Sequence, residues 1–403
     1  MAVREKIVAM KAVPKLSLRT AWDVAETELA RSIRERRAPG LSLIDLTASN
    51  PTQCGLQYDG AAILAALSDE RVLQYDPNPR GMLSAREAVA GYYRDQGVSI
   101  DAKRILLTTS TSEAYSYLFR LLADAGDEVL IAQPSYPLFD FLAQLEDVNL
   151  AAYPLFYDHG WHLDIEALRR LIGPKTRAIA LVHPNNPTGH FTKLAERQAL
   201  EALCADHGLA LIVDEVFLDY VLTGETPQSF AAGEHPALTF VLSGLSKVAA
   251  LPQMKAAWIA AFGPEQDLTR ALDRLEIIAD TFLAMNAPIQ CALPAWLAKR
   301  GTIQSEILTR LQTNLAALDA SLASQRMVTR LDVEAGWYAI LRVPALAPDE
   351  DLAIRLVREH GVSVHPGSSF GFADSGWLVL SLLAPPAEFL NGVRTIVSIF
   401  RET

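Results

Sequence analysis

The sequence predicts an α/β protein whose main sheet is mostly parallel, and two observations lead to this fold class. From about residue 104, short apolar segments alternate with segments of helical periodicity. The apolar segments are continuously hydrophobic instead of alternating in polarity, as expected for strands that helices cover on both faces. This order of strands and helices is typical of the α/β class, in which ligands gather at the carboxyl ends of the strands.

The predicted large domain covers residues 52–285. Its predicted strands, in chain order, are RILLTT, DEVLIAQP, TRAIALVHP, LALIVDEV and TFVLSG. The predicted helices between them are SEAYSYLFRLLADAG, YPLFDFLAQLED and TKLAERQALEALCADHG. Because helical segments connect most of these strands, the strands are expected to run parallel in one sheet.

The two ends of the chain predict a smaller α+β domain, made of residues 1–51 and 286–403. Near the N-terminus, the segment 17–40 predicts a helix that ends at a Pro-Gly pair. The C-terminal part predicts a long helix, then the strand GWYAILRV, a helix near residues 349–360 and the strand GWLVLSLL.

Composition excludes several classes of protein. The 403 residues are 50% hydrophobic and 21% charged, which is typical of a globular protein, and the net charge of −11 disfavours a nucleic-acid binder. The three cysteines are far apart, fit no metal-ligand spacing and suggest a reducing compartment. The charged N-terminus lacks the apolar core of a secretory signal, and no segment approaches the roughly 18 apolar residues of a membrane helix. We therefore expect a cytoplasmic protein without a metal site or membrane partner.

Polar residues follow three of the predicted strands directly. The turn HPNNPTGHF comes after one strand, Asp214 and Glu215 come after the next, and Lys247 comes after the third. Each has an ordinary explanation taken alone, such as a rigid turn or a buried ion pair. Together they place an amide, an acid and a lysine at one edge of one sheet, which calls for a joint explanation.

Five short motifs, in order and spacing, resemble the class I and II aminotransferases, the fold-type-I enzymes that use pyridoxal 5′-phosphate (PLP). HPNNPTG is similar to their Asn-Pro-x-Asn-Pro-Thr-Gly turn, DEVF to Asp-Glu-x-Tyr, and SGLSK to the Ser-Lys segment. PSYP looks like the aromatic-bearing loop, and YDPNPRG like the Tyr-x-x-x-x-Gly segment. The resemblance implies a mostly parallel seven-stranded sheet flanked by helices and covers nearly the whole chain.

The resemblance also implies catalytic roles. Lys247 would form a Schiff base with PLP and move the α-proton of the substrate, and Asp214 would keep the pyridine nitrogen protonated. Asn186 would donate to the ring's 3′ oxygen and, with Asn50, contact the substrate. Tyr136 would stack on the ring.

The implied phosphate site lies where RILLTTSTSEA turns into a helix, because a helix N-terminus attracts anions. Lys255 falls where most relatives carry a phosphate-binding arginine, and Tyr75 matches a tyrosine that reaches the phosphate from the neighbouring subunit of a homodimer. The other predicted phosphate ligands are Ser110, Thr111, Ser112, Ser243 and Ser246.

Three positions depart from the family pattern. Phe217 replaces the tyrosine whose hydroxyl bonds the 3′ oxygen, and Gly244 replaces a common phosphate-binding serine. Val379 replaces the arginine that holds the substrate α-carboxylate, and between residues 361 and 393 His365 is the only side chain that could be cationic. Arg80 is the candidate for a substitute clamp, with a solvated loop arginine as the alternative.

The predicted function is therefore a PLP-dependent aminotransferase that transfers an amino group between an amino compound and a keto acid, with an atypical carboxylate site. The alternative is a PLP-dependent lyase, decarboxylase or other specialised biosynthetic enzyme on the same scaffold. A PLP-sensing regulator is disfavoured, because the chain is acidic and the helical segment at 18–37 is too short for a DNA-binding module.

Overall fold

The computed structural model describes residues 15–400 of the chain. Its strands are β1 Ile44–Asp45, β2 Ile105–Thr108, β3 Glu128–Gln133, β4 Asn149–Tyr157, β5 Trp161–Leu163, β6 Thr176–Val182, β7 Ala210–Asp214, β8 Thr239–Gly244, β9 Ala257–Phe262, β10 Thr329–Arg330, β11 Tyr338–Arg342, β12 Val362–Ser363, β13 His365–Pro366 and β14 Trp377–Ser381.

The α-helices alternate with these strands over much of the chain. They are α1 Glu28–Arg36, α2 Gly60–Ala65, α3 Leu83–Asp95, α4 Thr111–Leu122, α5 Leu138–Leu145, α6 Ile165–Leu171, α7 Leu194–His207, α8 Leu245–Val248, α9 Glu265–Thr281, α10 Ala287–Leu322, α11 Asp349–Arg355 and α12 Pro386–Ile399.

The main sheet has eight strands in the order β2-β9-β8-β7-β6-β3-β4-β5. The strands from β8 to β4 pair in parallel, whereas β9 runs antiparallel to both of its neighbours. One strand comes in addition to the seven predicted, because the chain turns back at His159 and Gly160, both with positive φ, and β5 pairs antiparallel with the edge of β4. The predicted α/β class is confirmed.

The central strands are buried along their whole length, as their hydrophobic runs predict. Every residue of β7, β8 and β9 is buried, because helices cover both faces of the sheet. The register places Val182 beside Asp214 and Asp214 beside Leu242, so the carboxyl ends of β6, β7 and β8 meet at one edge. The polar residues that follow these strands are brought together there.

A second sheet is antiparallel and has the order β10-β11-β14-β13. In addition, β1 pairs in parallel with β12, so that residues near the two ends of the chain share a ladder. This pairing accords with the smaller α+β domain predicted from both chain ends, whose exact bounds stay a prediction. Residues 1–14 and 401–403 of that predicted domain lie outside the described residues.

The predicted helix over 17–40 is wrong in its N-terminal part. A short 3₁₀ turn spans Leu18–Thr20, and the α-helix begins only at Glu28, where the Thr27 hydroxyl accepts a hydrogen bond from Ala30 N at 3.2 Å. A threonine in this position caps a helix and marks its start. Among residues 15–400, no helix is long and apolar enough to cross a membrane.

Candidate active site

A cavity of about 210 Å³ lies at the carboxyl edge of the main sheet. Its lining brings together seven of the residues predicted from the sequence, namely Thr111, Ser112, Tyr136, Asn186, Asp214, Ser246 and Lys247. It also includes residues that the sequence did not single out as site residues, among them Ser49, Tyr115, Val216 and Tyr338. The predicted convergence of an amide, an acid and a lysine is therefore present in the structure.

Lys247 lies in α8, the single helical turn that follows β8. The hydroxyl of Tyr220 donates to the Lys247 carbonyl at 2.5 Å, which anchors the backbone of this turn. The Nζ atom lies 4.6 Å from the ring centroid of Trp337 and 5.7 Å from that of Phe217. Burial lowers the pKa of Lys247 to about 8, although Asp214 opposes the shift. A buried amine with a lowered pKa is suited to act as a nucleophile or base.

Asp214 is the last residue of β7 and is buried. Val216 N donates to its Oδ1 at 3.1 Å. Burial raises the pKa of Asp214 to about 7, because the charged form of a carboxyl is disfavoured away from water. A cationic N–H group placed against this carboxyl would stabilise its ionised form.

The polar atoms of the lining show what kind of ligand fits. Within residues 15–400, the Asn186 amide oxygen is buried without a hydrogen-bond partner, and the Tyr115 hydroxyl lies against Asp214, whose pKa it helps to lower. Phe217, Tyr136 and Val182 supply flat or apolar surface beside them. An aromatic ring that carries polar substituents and a ring N–H for Asp214 matches this combination, and the pyridine ring of PLP has these features.

The N-terminus of α4 also contributes to the cavity lining. Ser110 caps this 12-residue helix by accepting a hydrogen bond from Glu113 N at 3.1 Å, and Thr111 and Ser112 in the first turn line the cavity. Ser246 lines the cavity from α8. Free backbone N–H groups and hydroxyls at a helix N-terminus bind anions such as phosphate.

The close approach of β9 to β8 explains one departure from the family pattern. A Cβ atom at Gly244 would lie 2.9 Å from the Cβ of Ala257 and 3.0 Å from the carbonyl oxygen of Ala256. A serine therefore does not fit at position 244 unless β9 moves. Ser243, a predicted phosphate ligand, is buried without a hydrogen-bond partner among the described residues and does not line the cavity.

Lys255 and Tyr75 lie away from the cavity lining in the single chain. Lys255 has a left-handed backbone conformation with φ of 50° and is exposed. Tyr75 is 76% exposed, which leaves it free to contact another molecule. The phosphate roles predicted for both residues stay predictions.

The two remaining predicted substrate contacts, Arg80 and Asn50, lie outside the cavity lining of the single chain, and their roles stay predictions. Arg80 donates from Nε to Glu276 at 2.6 Å and from Nη1 to the Lys103 carbonyl at 2.9 Å, so its guanidinium is held against α9 and is not in the cavity. Asn50 is exposed and caps a 3₁₀ turn by accepting hydrogen bonds from Thr52. Its neighbour Ser49 lines the cavity instead.

Glu215, next to Asp214, has a structural role. The Ser229 hydroxyl and Phe230 N donate to its carboxyl at 2.7 and 2.6 Å, and burial raises the pKa of Glu215 to about 8. Two adjacent carboxyls of the same strand end are thus used differently. Asp214 points into the cavity lining, whereas Glu215 holds the segment around Ser229.

A cluster of charged side chains surrounds His190, a buried residue four positions after Asn186. The ring nitrogens of His190 lie 3.4 Å from carboxylate oxygens of Glu196 and Glu334, and Lys193 forms ion pairs with Glu334 and Glu225. Glu334 precedes Trp337 and Tyr338 by only a few residues. The cluster therefore connects the turn that bears Asn186 with the segment that places Trp337 beside Lys247.

The residues missed from the sequence come from segments without a distinctive motif. Tyr115 lies four residues after Thr111 on α4, so the helical spacing alone would have placed it on the cavity-facing side. Ser49 and Tyr338 are brought in by the tertiary fold, and no local pattern marks them.

The sequence matches the family described as aminotransferase class I and II over residues 42–396. It is 26% identical to the glutamate-pyruvate aminotransferase of Haemophilus influenzae over 67% of this chain and 67% of that protein. It is 26% identical to an alanine aminotransferase of Mycobacterium tuberculosis over 83% of this chain and 80% of that protein.

The fold is similar to a solved structure as well. Alanine aminotransferase from Pyrococcus furiosus superimposes with a TM-score of 0.87 and 22% identity, covering 96% of this chain and 100% of that one. At this identity the likeness concerns the fold, and it extends over both sheets.

Proposed function

This chain belongs to the class I and II aminotransferases, and from that premise we propose that Lys247 carries PLP covalently and that Asp214 holds its pyridine nitrogen. The chain is an aminotransferase, an enzyme that moves an amino group between an amino compound and a keto compound. Enzymes of this family are generally PLP-dependent. When bound, PLP supplies an electron sink for the carbon that bears the amino group.

The observation that carries the proposal is the pairing of Lys247 and Asp214 in one cavity. Burial brings the pKa of the amine down to about 8 and that of the carboxyl up to about 7. The lowered pKa makes the neutral amine of Lys247 available for nucleophilic attack and proton transfer, and the raised pKa of Asp214 marks a desolvated carboxyl that a cationic ring N–H would keep ionised.

The other lining residues have supporting tasks in this proposal. Asn186 donates a hydrogen bond to the ring oxygen, Tyr136 covers the ring face, and the N-terminus of α4 with Ser110, Thr111 and Ser112 holds the phosphate. Lys247 Nζ takes the proton from the amino-bearing carbon and returns it at the cofactor. The aromatic rings of Phe217 and Trp337 exclude water from Nζ.

A half-reaction tests the proposed reaction against the lyase or decarboxylase alternative. With PLP bound and an amino donor alone, an aminotransferase converts the cofactor once to its amine form and stops. Addition of a keto acid restores the aldehyde form, and both changes are read from cofactor absorbance. Repeated turnover of the donor without a keto acid would favour the alternative.

Relatives are named for alanine, glutamate and pyruvate, and these compounds are the first test set for donors and acceptors. The atypical position is Val379, where the family arginine would hold the carboxylate that all three carry. The homodimer in which Tyr75 reaches the neighbouring site, and the cytoplasmic location, stay predictions.

A further inference from the structure

The second sheet contributes Tyr338 to the cavity lining, and a row of side chains lies next to it on the same sheet face. Tyr338 lines the cavity and begins β11. Alternate residues of a strand share a face, so Ile340 lies on the same face as Tyr338. In the sheet register Val379 lies opposite Ile340, and His365 lies opposite Val379. The row Ile340, Val379 and His365 therefore shares a sheet face with Tyr338, and of these four residues Tyr338 lines the cavity.

This row carries no permanent positive charge. Val379 is fully buried, and Ile340 is 2% exposed. Burial lowers the pKa of His365, although Asp45 and the Thr47 backbone oppose the shift, so the imidazole is neutral at neutral pH. The row that contains position 379, where the family carries its carboxylate-binding arginine, is thus apolar or neutral.

Within residues 15–400 of one chain, no arginine lines the cavity in place of the family's carboxylate-binding arginine. Lys247 is the only Lys, Arg or His in the cavity lining. Arg310, on α10, donates from Nη1 to the carbonyls of Cys54 and Leu383 at 2.9 and 3.1 Å and does not line the cavity. Arg80 is paired with Glu276 on α9.

The remaining lining indicates what the cavity accepts. Leu138, Phe139 and Leu142 of α5 join Val216 and Phe217 as an apolar part of the lining, beside the uncharged hydroxyls of Ser49 and Tyr338. A carboxylate that moves from water to these side chains without a cationic partner loses its hydration and gains no ion pair. An alkyl group in the same place loses no polar hydration and gains contact with apolar side chains.

We infer, on the basis of the function proposed above, that the preferred amino donor is a primary amine whose amino-bearing carbon carries an uncharged group where an α-amino acid carries its carboxylate. Hydrogen, alkyl and hydroxymethyl groups belong to this class. The rest of the donor is apolar.

The transfer balances for such a donor. The carbon that bears the amino group loses one proton, taken up by Lys247 Nζ, and its C–N bond is replaced by a C=O bond whose oxygen comes from water. The amino group and the two electrons of the broken C–H bond stay on the cofactor, whose aldehyde becomes an amine. The proton held by Lys247 Nζ passes to the former aldehyde carbon of the cofactor, and the aldehyde oxygen leaves as one water, which balances the water consumed. The net change is amine plus cofactor aldehyde to carbonyl product plus cofactor amine, the product being a ketone, or an aldehyde where the group is hydrogen.

The test uses donors that differ only at the group in question. The half-reaction of the PLP-loaded wild-type protein is followed by cofactor absorbance with 2-aminopropane and with alanine, where a methyl group replaces the carboxylate. A second pair, 4-phenylbutan-2-amine and 2-amino-4-phenylbutanoate, repeats the comparison with a larger apolar body. We expect the amine of each pair to react at least about 10-fold faster than the amino acid at equal concentration.

The outcomes separate this inference from the proposed function. Amino acids that react as fast as their amines, or faster, overturn the inference and leave the aminotransferase reaction standing. If no donor of either pair, nor glutamate, converts the cofactor while borohydride shows it attached to Lys247, the proposed reaction fails together with the inference.

Variants at position 379 provide a second measurement. Val379→Arg should shift the preference toward alanine and 2-amino-4-phenylbutanoate, whereas the matched control Val379→Ile should keep the preference for the amines. An unchanged donor preference in a folded Val379→Arg protein would contradict the assumption that residue 379 lies beside the donor group that replaces the carboxylate. If Val379→Arg does not fold, the rates of the amines and amino acids with the wild-type protein still test the inference.

Discussion

Two lysines of one apolar segment, Lys247 and Lys255, have different surroundings. Lys247 is buried in the cavity beside Trp337, whereas Lys255 is exposed in a left-handed turn. Covalent attachment to a carbonyl group requires a neutral amine, and burial lowers the pKa of Lys247 to about 8. The two side chains therefore form a matched pair for a labelling experiment.

Borohydride reduction of the PLP-loaded protein should fix the cofactor on Lys247. Lys247→Ala should lose this label and reduce the rate of transamination by several orders of magnitude, because the variant has no amine to hold the cofactor or move the proton. Lys255→Ala should keep the label on Lys247, as read by peptide mass spectrometry. A label found on Lys255 in the wild-type protein would show that the assignments are reversed.

Asp214→Asn should keep the fold and lose activity. The carboxamide has nearly the same shape and retains an oxygen that can accept from Val216 N, but it carries no negative charge. Loss of one preorganised electrostatic partner typically costs about 100-fold or more in kcat. Circular dichroism serves as the control for folding, and near-normal turnover would rule out the role given to Asp214.

The sequence predicts the cofactor residues better than the substrate residues, for a physical reason. Lys247, Asp214 and Asn186 follow consecutive neighbouring strands, so local motifs and the rule of strand ends suffice to place them together. The ion pair of Arg80 with Glu276 could not be foreseen, because the two residues lie 196 residues apart along the chain and no local pattern reveals their contact. Ser49 and Tyr338 enter the cavity only through the tertiary fold.

At the scale of elements, the predicted strands are those buried on both faces. β2, β3, β6, β7 and β8 coincide with continuous apolar runs. β4 was missed because it lies near the sheet edge and alternates between buried and exposed residues, and β5 is only three residues long. Exposure of one strand face thus weakens the hydrophobic signal on which strand prediction depends, whereas β2, at the other edge of the sheet, is fully buried and was predicted. β9 was not predicted, although every one of its residues is buried.

The charged cluster around His190 is expected to stabilise the connection between the Asn186 turn and the segment before β11. Although desolvation lowers the pKa of His190, the carboxylates of Glu196 and Glu334 outweigh it and the net shift is upward. The pKa values of Glu196 and Glu334 are lowered despite their own desolvation, because His190 and nearby donors interact with them. The imidazolium and both carboxylates therefore stabilise one another.

His190→Gln should destabilise the protein by about 1–3 kcal/mol at pH 6, because the partly buried carboxylates of Glu196 and Glu334 lose the imidazolium, although Glu334 keeps Lys193. A raised histidine pKa gives stability that is fully present below the unfolded value of 6.5 and is lost as pH rises through the folded value. The lowered pKa values of the glutamates give stability above their unfolded value of 4.5, which is lost as pH falls through their folded values. Both contributions are complete between pH 4.5 and pH 6.5.

The difference in melting temperature between wild type and His190→Gln should accordingly be larger at pH 6 than at pH 9. The surface variant His159→Gln is a matched control, since that imidazole is 99% exposed and lies on the distant β4–β5 turn. A difference that does not change with pH would mean that the cluster acts through packing alone.

At the scale of the whole molecule, the exposed Tyr75 provides a test of the predicted homodimer. The protein should have about twice the 44.0 kDa mass of one chain in solution. If Tyr75 serves the neighbouring site, a Lys247→Ala subunit and a Tyr75→Ala subunit are complementary, because their hybrid has one intact site and one doubly altered site.

Mixing the two variants under conditions that exchange subunits should recover about one quarter of the wild-type activity per subunit, since half of randomly paired dimers are hybrids with one intact site each. Each variant alone, treated in the same way, is the control. Hybrids that form, as shown by differently tagged subunits, but recover no activity would contradict the placement of Tyr75 across the interface.

The residues assigned to the cofactor and those assigned to donor choice lie far apart along the chain. Apart from Tyr75 and Lys255, the residues assigned to the cofactor lie between positions 110 and 247, whereas Tyr338, Ile340 and Val379 belong to the second sheet. Selection on donor choice can therefore act on the second sheet while the reactive chemistry is preserved. A combinatorial library at positions 49, 340 and 379 should yield enzymes with new amine preferences, and every member would keep the side chains that we assign to the cofactor.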